Sequence, residues 1–214
     1  MASGDTKVTI VNQALVLLGS DTISSFSDTT NDAARVANSI YETIKGKTLS
    51  LYPWSFALVK EELARSTATP VNEWSFIYPL PSTAVSGTAL QVYNSSSTRV
   101  LPIQNYELVY TSSGPAIATN EDKIYIDYIS SVVSEGLMPN YFVQLLVYML
   151  AWHLAEPVTD QITKAEYWRG VALGSLTENG RGGYFRQACN IDGRGKPNYA
   201  IVDFPLTDVR WAEQ

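Results

Sequence analysis

Cysteine, histidine and charge are what this 214-residue chain has least of. Its single cysteine, Cys189, excludes an internal disulfide and leaves no cysteine-ligated zinc site. Its single histidine, His153, sits in an apolar run with no cysteine or second histidine to act with it. That reads as a packed, hydrogen-bonded ring rather than a catalyst. Charged residues make up 17% of the chain, against a typical share of about 25%. With a net charge of -6 the chain lacks the basic face that releases counterions from phosphates. An electrostatic nucleic-acid binder is thereby excluded, but not a protein that DNA merely passes. Long apolar runs are missing too. The longest, Tyr141 to Ala155, is interrupted by Gln144 and His153 and falls short of the ~20 residues that a bilayer span needs. Met1 to Lys7 shows no basic region followed by an apolar run and cleavage site, so no signal peptide is expected. The expectation is a soluble protein made in a reducing compartment.

What is abundant is aromatic and uncharged polar. There are 13 Tyr and 5 Trp, with many Ser, Thr, Asn and Gln. Such a composition suits a surface largely taken up by other subunits, since interfaces favour aromatics over Lys and Glu. It suits a Tyr- and Ser-rich β module equally well. The length allows one large domain or two small ones around a substantial core.

The stretch Leu49 to Leu58 divides two regimes of hydrophobic spacing. Before it, Val8, Val11, Leu15 and Leu18 predict a helix from Thr6 to about Leu18, widened by Ala14 and Leu17 and stopped by Gly19. Ile23 and Phe26 are expected to anchor the polar loop that follows. A second helix starts near Thr29 to Asp32, with Thr29 as cap, and runs towards Leu51 with Ala33, Ala37, Ile40 (with Tyr41) and Ile44 as its stripe. Pro53 ends helical continuation and disfavours helix at Tyr52. Pro53, Trp54 and Phe56 therefore predict a packed structural corner, too apolar for a solvent-exposed loop.

After the corner, short runs separated by turn signals predict strands: Trp74 to Leu80, Leu90 to Tyr93, Val100 to Ile103, Glu107 to Thr111 and Lys123 to Ile129. In the last, Ile124, Ile126 and Tyr128 share one face. Helical spacing returns after Pro139, and the helix through Phe142, Leu146 and Leu150 is apolar nearly all round, hence central. It is expected to end at Glu156-Pro157. A fourth helix, capped by Thr159 or Asp160, carries Ile162, Ala165, Trp168 or Arg169, Ala172 and Leu176. Beyond Asn179 the glycines break the pattern, leaving at best a short helical piece from Tyr184 to Cys189. The fold class read from this order is α+β: a four-helix bundle (1–55 and 137–180), a small antiparallel β sandwich or barrel (56–136) inserted between helices 2 and 3, and an extended C-terminal arm (181–214).

Few of the chain's residues stand in patterns that carry chemistry. No serine sits in a nucleophile elbow. Glu61-Glu62 and Glu121-Asp122 are sequence neighbours that point opposite ways on strands; Asp21 with Asp28, and Asp192, are the other carboxylates considered. The glycine clusters around Arg181 and Arg194 lack the spacing of a phosphate loop. No enzymatic activity, cofactor or metal is expected. The C-terminal arm is the one basic, aromatic end of an acidic chain. Arg181, Tyr184, Phe185, Arg186, Arg194, Lys196, Tyr199, Phe204, Arg210 and Trp211 are interface-type residues suited to folding onto a partner.

The chain resembles the tail tubular protein A family, the head-to-tail adaptors of short-tailed bacteriophages (podoviruses). The resemblance is carried by Asn12 to Gly19 (NQALVLLG), Ile23 with Ser24-Ser25, and the Ala33-Ala34 helix ending at Tyr41. It continues through Pro53 to Ala57 (PWSFA), Leu63-Ala64, the Trp74 to Pro81 segment and Leu150 to Ala155 (LAWHLA). It covers the first eighty residues or so, and the remainder by pattern only. Ser55 stands where the family often has Asn, and the tail does not align. The resemblance implies a structural virion protein of the tail or neck, made in the host cytoplasm. Its copies form a dodecameric ring under the portal protein that extends the DNA channel and seats the tail nozzle protein. The C-terminal arm is then the expected portal-docking element. The competing reading is a tail-associated carbohydrate-binding module or glycan hydrolase, with Glu61, Glu62, Glu121 and Asp122 as acids and Trp74 or Tyr93 as a sugar platform.

Overall fold

A computed structural model describes residues 4–28, 31–67, 70, 73–97 and 101–195. Helix α1, Lys7–Leu18, begins where the spacing predicts. Thr6 and Thr9 form a reciprocal capping box, the Thr9 amide donating to Thr6 Oγ1 (3.2 Å) and the Thr6 amide to Thr9 Oγ1 (2.7 Å). Gly19 ends the helix in the left-handed conformation (φ 71°), where a side chain would be strained. Ile23 is buried and Phe26 packs edge-on to Tyr41, so both expected anchors hold the loop.

Helix α2, Asp32–Ser50, is capped by Asn31, whose side chain accepts from the Ala33 and Ala34 amides. The predicted cap, Thr29, lies outside the described residues. Of the expected stripe of α2, Ala37, Tyr41 and Ile44 are buried, and Ala33 and Ile40 are only partly so. Ala34, Ala37, Tyr41, Ile44 and Thr48 face the core, while Ala33 and Ile40 flank it.

Among the described residues, six strands follow α2 before the next α-helix: β1 Leu58–Glu62, β2 Phe76–Pro79, β3 Gln91–Tyr93, β4 Tyr106–Thr111, β5 Gly114–Thr119 and β6 Tyr125–Ile129. They form two three-stranded antiparallel sheets, ordered β1-β6-β3 and β2-β5-β4. Strand β6 pairs Leu58↔Ile129 through Glu62↔Tyr125 on one side and Gln91↔Asp127 through Tyr93↔Tyr125 on the other. Ile124, Ile126 and Tyr128 enter one apolar cluster, as their alternation predicts. The following residue, Ile129, belongs to a second cluster built mainly by the helices.

Two strand readings are corrected. Among the described residues of 101–105 there is no strand, although the Ile103 amide still donates to the Val92 carbonyl (2.8 Å). Strand β5 was hidden because its Gly114-Pro115 start reads as a turn. Pro115 sits near the strand start, where β2 pairs only with Ala116 to Thr119, and its carbonyl still accepts the Leu80 amide (3.0 Å).

Helix α3, Asn140–Thr159, is the central element, with ten buried residues and with α1, α2, α4 and α5 all packed against it. It runs past the expected stop at Pro157. The proline removes one amide in the last turn, and Asp160 closes the helix in the left-handed conformation (φ 53°). Helix α4, Ile162–Leu173, follows from Gln161, which gives no side-chain cap, rather than from Thr159 or Asp160. It stops at Gly174, so Leu176 is exposed, as is Ile162.

Helix α5, Gly183–Gly193, corrects the largest error. Residues 183–193 are not an extended arm. Phe185, Ala188 and Asp192, spaced by three and four, are buried against the helical core. The fold is thus α+β with five helices and two small antiparallel sheets among the described residues.

Candidate functional site at the helix–sheet corner

Trp54 is fully buried where α2 hands the chain to β1. The bend exists because Pro53 cannot continue α2 and Trp54 is extended (φ -61°, ψ 129°) before a single 3-10 turn over Ser55–Ala57. The indole is pinned by its own Nε1–H, which donates to the Thr48 carbonyl (3.1 Å) in the last turn of α2. Five aromatic rings surround it. Tyr52, Phe142 and Phe185 meet it edge-on with centroids 5.0, 5.2 and 6.2 Å away, and Phe56 and Tyr141 are tilted at 6.3 and 6.2 Å. Edge-to-face pairs add roughly 0.5–1.5 kcal/mol each beyond area burial, so the corner is a stiff joint. Trp54 and Phe56 thus pack together just after Pro53, at the turn out of α2.

Asp192 completes the corner from α5. It is 3% exposed, and its carboxylate accepts from the Ser55 amide (3.2 Å to each oxygen), the Ser55 hydroxyl (2.6 Å) and the Tyr141 hydroxyl (2.7 Å). Burial, then the hydrogen bond to Asp192 and its charge, push the Tyr141 phenol far above its ordinary value. The sequence offered Asp192 only as one carboxylate among several. The signal that marks it is its place on the buried face of α5, four residues after Ala188 and seven after Phe185.

A second pin joins α2 to the chain after β6. Lys45, 6% exposed, donates to the Val133 carbonyl (2.7 Å) and to Glu135 Oε1 (2.8 Å), which also accepts from the Tyr41 hydroxyl (3.3 Å). Burial alone would raise the Glu135 carboxyl; the Lys45 hydrogen bond and charge outweigh it and hold the group below its ordinary value. Tyr41 is pushed far upward by burial and by Glu135. Lys45 escaped notice because it is charged, yet its spacing from Tyr41 and Thr48 puts it on the buried stripe.

His153 is packed and hydrogen-bonded, as its setting predicts. Nδ1 lies 2.8 Å from the Met149 carbonyl, and the ring is 4.1 Å from that of Trp152. Burial pulls its pKa below the ordinary value, the Met149 carbonyl opposes this, and the Lys47 charge adds to the lowering. The four acids of the competing reading have separate partners. Glu61 accepts from Tyr128, Glu62 stands opposite Tyr125 across the β1–β6 pair, Asp122 accepts from Arg65, and the Asn94 amide is at 3.5 Å from Glu121. Trp74 donates its Nε1–H to Glu107 (2.8 Å), and Tyr93 bonds Gln91 on its own strand. Among the described residues no three His, Cys, Asp or Glu side chains are grouped to hold a metal ion, and no buried side-chain nitrogen or oxygen lacks a partner.

The proposed docking residues divide. Phe185 is 7% exposed and belongs to the corner, which corrects its reading as a free docking side chain. Tyr184 is half-buried against Tyr148, with ring centroids 5.3 Å apart. Arg181, Arg186 and Arg194 are exposed. Lys196, Tyr199, Phe204, Arg210 and Trp211 lie outside the described residues. Neither a protein-family model nor a curated protein matches the chain.

Proposed function

We propose that this chain is the subunit of a head-to-tail adaptor ring in the neck of a short-tailed phage virion, joining the portal to the tail nozzle and continuing the DNA channel. One observation carries the reading: the residues that bear the family resemblance are the ones that hold the scaffold. Asn12 clamps the loop after α1 by donating its Nδ2–H to the Ile23 carbonyl (2.9 Å) and accepting the Ile23 amide (2.8 Å). Gly19 makes the left-handed stop, Tyr41 joins the buried pin, and Trp54 centres the corner. In this reading the helices form a bundle that makes the ring contacts. The two sheets act as a sandwich facing outward or tailward, and the corner sets the angle between them. A net charge of -6 suits a channel wall that repels phosphates and lets DNA slide.

The test is negative-stain microscopy of the purified chain mixed with its cognate portal. The expected outcome is a dodecameric ring seated on the portal. A chain that stays apart from the portal at every concentration overturns the proposal.

A further inference from the structure

Trp152 of α3 is flanked by two cations from different helices. The Lys47 ammonium of α2 lies 5.2 Å from the ring centroid, and the Arg169 guanidinium of α4 lies 5.9 Å from it. Cation–π contact favours each arrangement, but the two like charges also repel across one indole. Five other bases are matched with acids: Lys7 with Glu42, Arg35 with Asp32, Lys45 with Glu135, Lys60 with Asp127 and Arg65 with Asp122. Among the described residues, neither Lys47 nor Arg169 forms an ion pair. In a chain with a net charge of -6, two cations without an ion pair on one indole make a locally basic, aromatic surface.

An opposite surface exists on the same molecule. Asp21, Asp28, Asp32 and Asp160, with Ser20 and Asn31, line an open polar depression between the loop after α1, the start of α2 and the end of α3. Among the described residues Asp21 and Asp160 form no ion pair, and Asp32 meets only the exposed Arg35. The two surfaces share no residue, so one copy offers a basic face and, separately, an acidic one.

We infer that the Trp152 surface, with Lys47 and Arg169, docks the Asp21–Asp160 face of a second copy of this chain. The contact is head-to-tail, because complementary patches at different places on a subunit build heterologous interfaces, which close into rings or extend as filaments. The overall negative charge disfavours a nucleic-acid phosphate backbone as the occupant, since only two cations face it. An acidic protein face needs no more than that, and the indole supplies the aromatic anchor common at interface centres. The inference rests on the ring-subunit reading and names the surfaces through which neighbours meet.

The experiment is sedimentation velocity of the full chain across a salt series, with two charge variants. Lys47→Glu with Arg169→Glu destroys the basic face. Asp21→Lys with Asp160→Asn weakens the acidic one, asparagine being chosen because it tolerates the left-handed backbone at that position. The wild-type chain should self-associate at low salt and dissociate towards ~1 M, where the screening length falls to roughly 3 Å. Each variant should weaken self-association by roughly tenfold or more. Mixed together, the variants should associate more strongly than either does alone, forming at least a heterodimer, since each retains one working face and the reversed charges at positions 47, 169 and 21 are again opposite in sign. Thermal melts establish that the variants are folded; if charge reversal lowers the melt, Lys47→Gln with Arg169→Gln must give the same loss of association.

A wild-type chain that is monomeric at low salt overturns the inference, as does association indifferent to both variants or a mixture that forms no heterodimer. These outcomes are separable from failure of the adaptor reading. A monomer that still assembles on the portal, or a ring that survives both variants, refutes the docking surfaces and leaves the adaptor role standing.

Discussion

The Ser55 hydroxyl donates to Asp192 at 2.6 Å across 137 residues of sequence, and this bond ties the last described helix to the first turn after α2. Hydrogen bonds to a charged acceptor contribute about 1.5–3 kcal/mol, and a buried donor left without its acceptor costs about 1–3 kcal/mol. Asp192→Ala strands the Ser55 amide and hydroxyl and the Tyr141 hydroxyl together. It should therefore lower unfolding free energy by about 3 kcal/mol, against about 1–2 kcal/mol for Ser55→Ala. Urea denaturation of both singles and the double should show less than additive losses, because the residues share one network. A change below about 0.5 kcal/mol for Asp192→Ala would mean that the carboxylate does not hold α5 in place.

Trp54→Ala removes a fully buried indole that five rings contact, and it strips the Thr48 carbonyl of its donor. The expected loss is about 3–5 kcal/mol, enough to impair folding of a marginally stable domain. Trp54→Phe keeps most of the apolar volume and should cost less than half as much. Because the corner is a joint, the Phe variant should fold while both apolar clusters persist, which near-UV circular dichroism and denaturant melts can follow together. Equal losses for Phe and Ala would assign the effect to the Nε1–H bond rather than to packing.

Much of this fold can be read from local signals, and the failures have identifiable causes. Thr6, Gly19 and the alternation in β6 act through neighbours a few residues away, so the spacing alone reveals them. Helix α5 is different. Its buried face is Phe185, Ala188 and Asp192, so one of its three anchors is an acid whose partners lie in Ser55 and Tyr141. No local pattern announces such a helix, and the glycines around it argue the other way. Strand β5 is obscured in the same fashion: all of Ala116 to Thr119 is buried, so the alternation that marks a half-exposed strand is absent. At the candidate site, Pro53, Trp54 and Phe56 are visible because bulky rings beside a proline have only one use. Lys45 and Glu135 are invisible because the charge of each is cancelled by the other.

Two titrations should make the protein less stable in acid. The folded pKa of Glu135 is depressed, so its contribution is present above the ordinary carboxylate value near 4.5 and is lost as pH falls through the folded value. The folded pKa of His153 is also depressed, chiefly by burial, so the unfolded chain takes up the proton first. Stability from that group is present above its ordinary value of 6.5 and is lost as pH falls below it. Since His153 is the only histidine, a single imidazole signal should titrate by NMR below the ordinary value. His153→Gln should flatten the dependence of melting temperature on pH just below neutrality, whereas Glu135→Gln should alter only the more acidic limb. A His153 signal titrating at or above 6.5 contradicts the burial seen here.

Two truncations separate what α5 does for the fold from what lies beyond it. Stopping the chain after Gly180 removes Phe185, Ala188 and Asp192, and so opens one side of the Trp54 cluster and strands Ser55 and Tyr141. Losing a buried phenylalanine alone costs about 3–5 kcal/mol, so this shorter chain should be unfolded or aggregate. Stopping after Gly195 keeps all of α5 and removes only residues 196–214, which contain Lys196, Tyr199, Phe204, Arg210 and Trp211. Under the adaptor reading that chain should lose attachment to the portal, because it lacks five of the ten basic and aromatic residues assigned to docking. Co-sedimentation with the portal measures attachment directly, and a thermal melt of the same sample guards against misfolding. Full attachment by the chain ending at Gly195 would move the docking role to Arg181, Arg186 and Arg194, which remain exposed on and around α5.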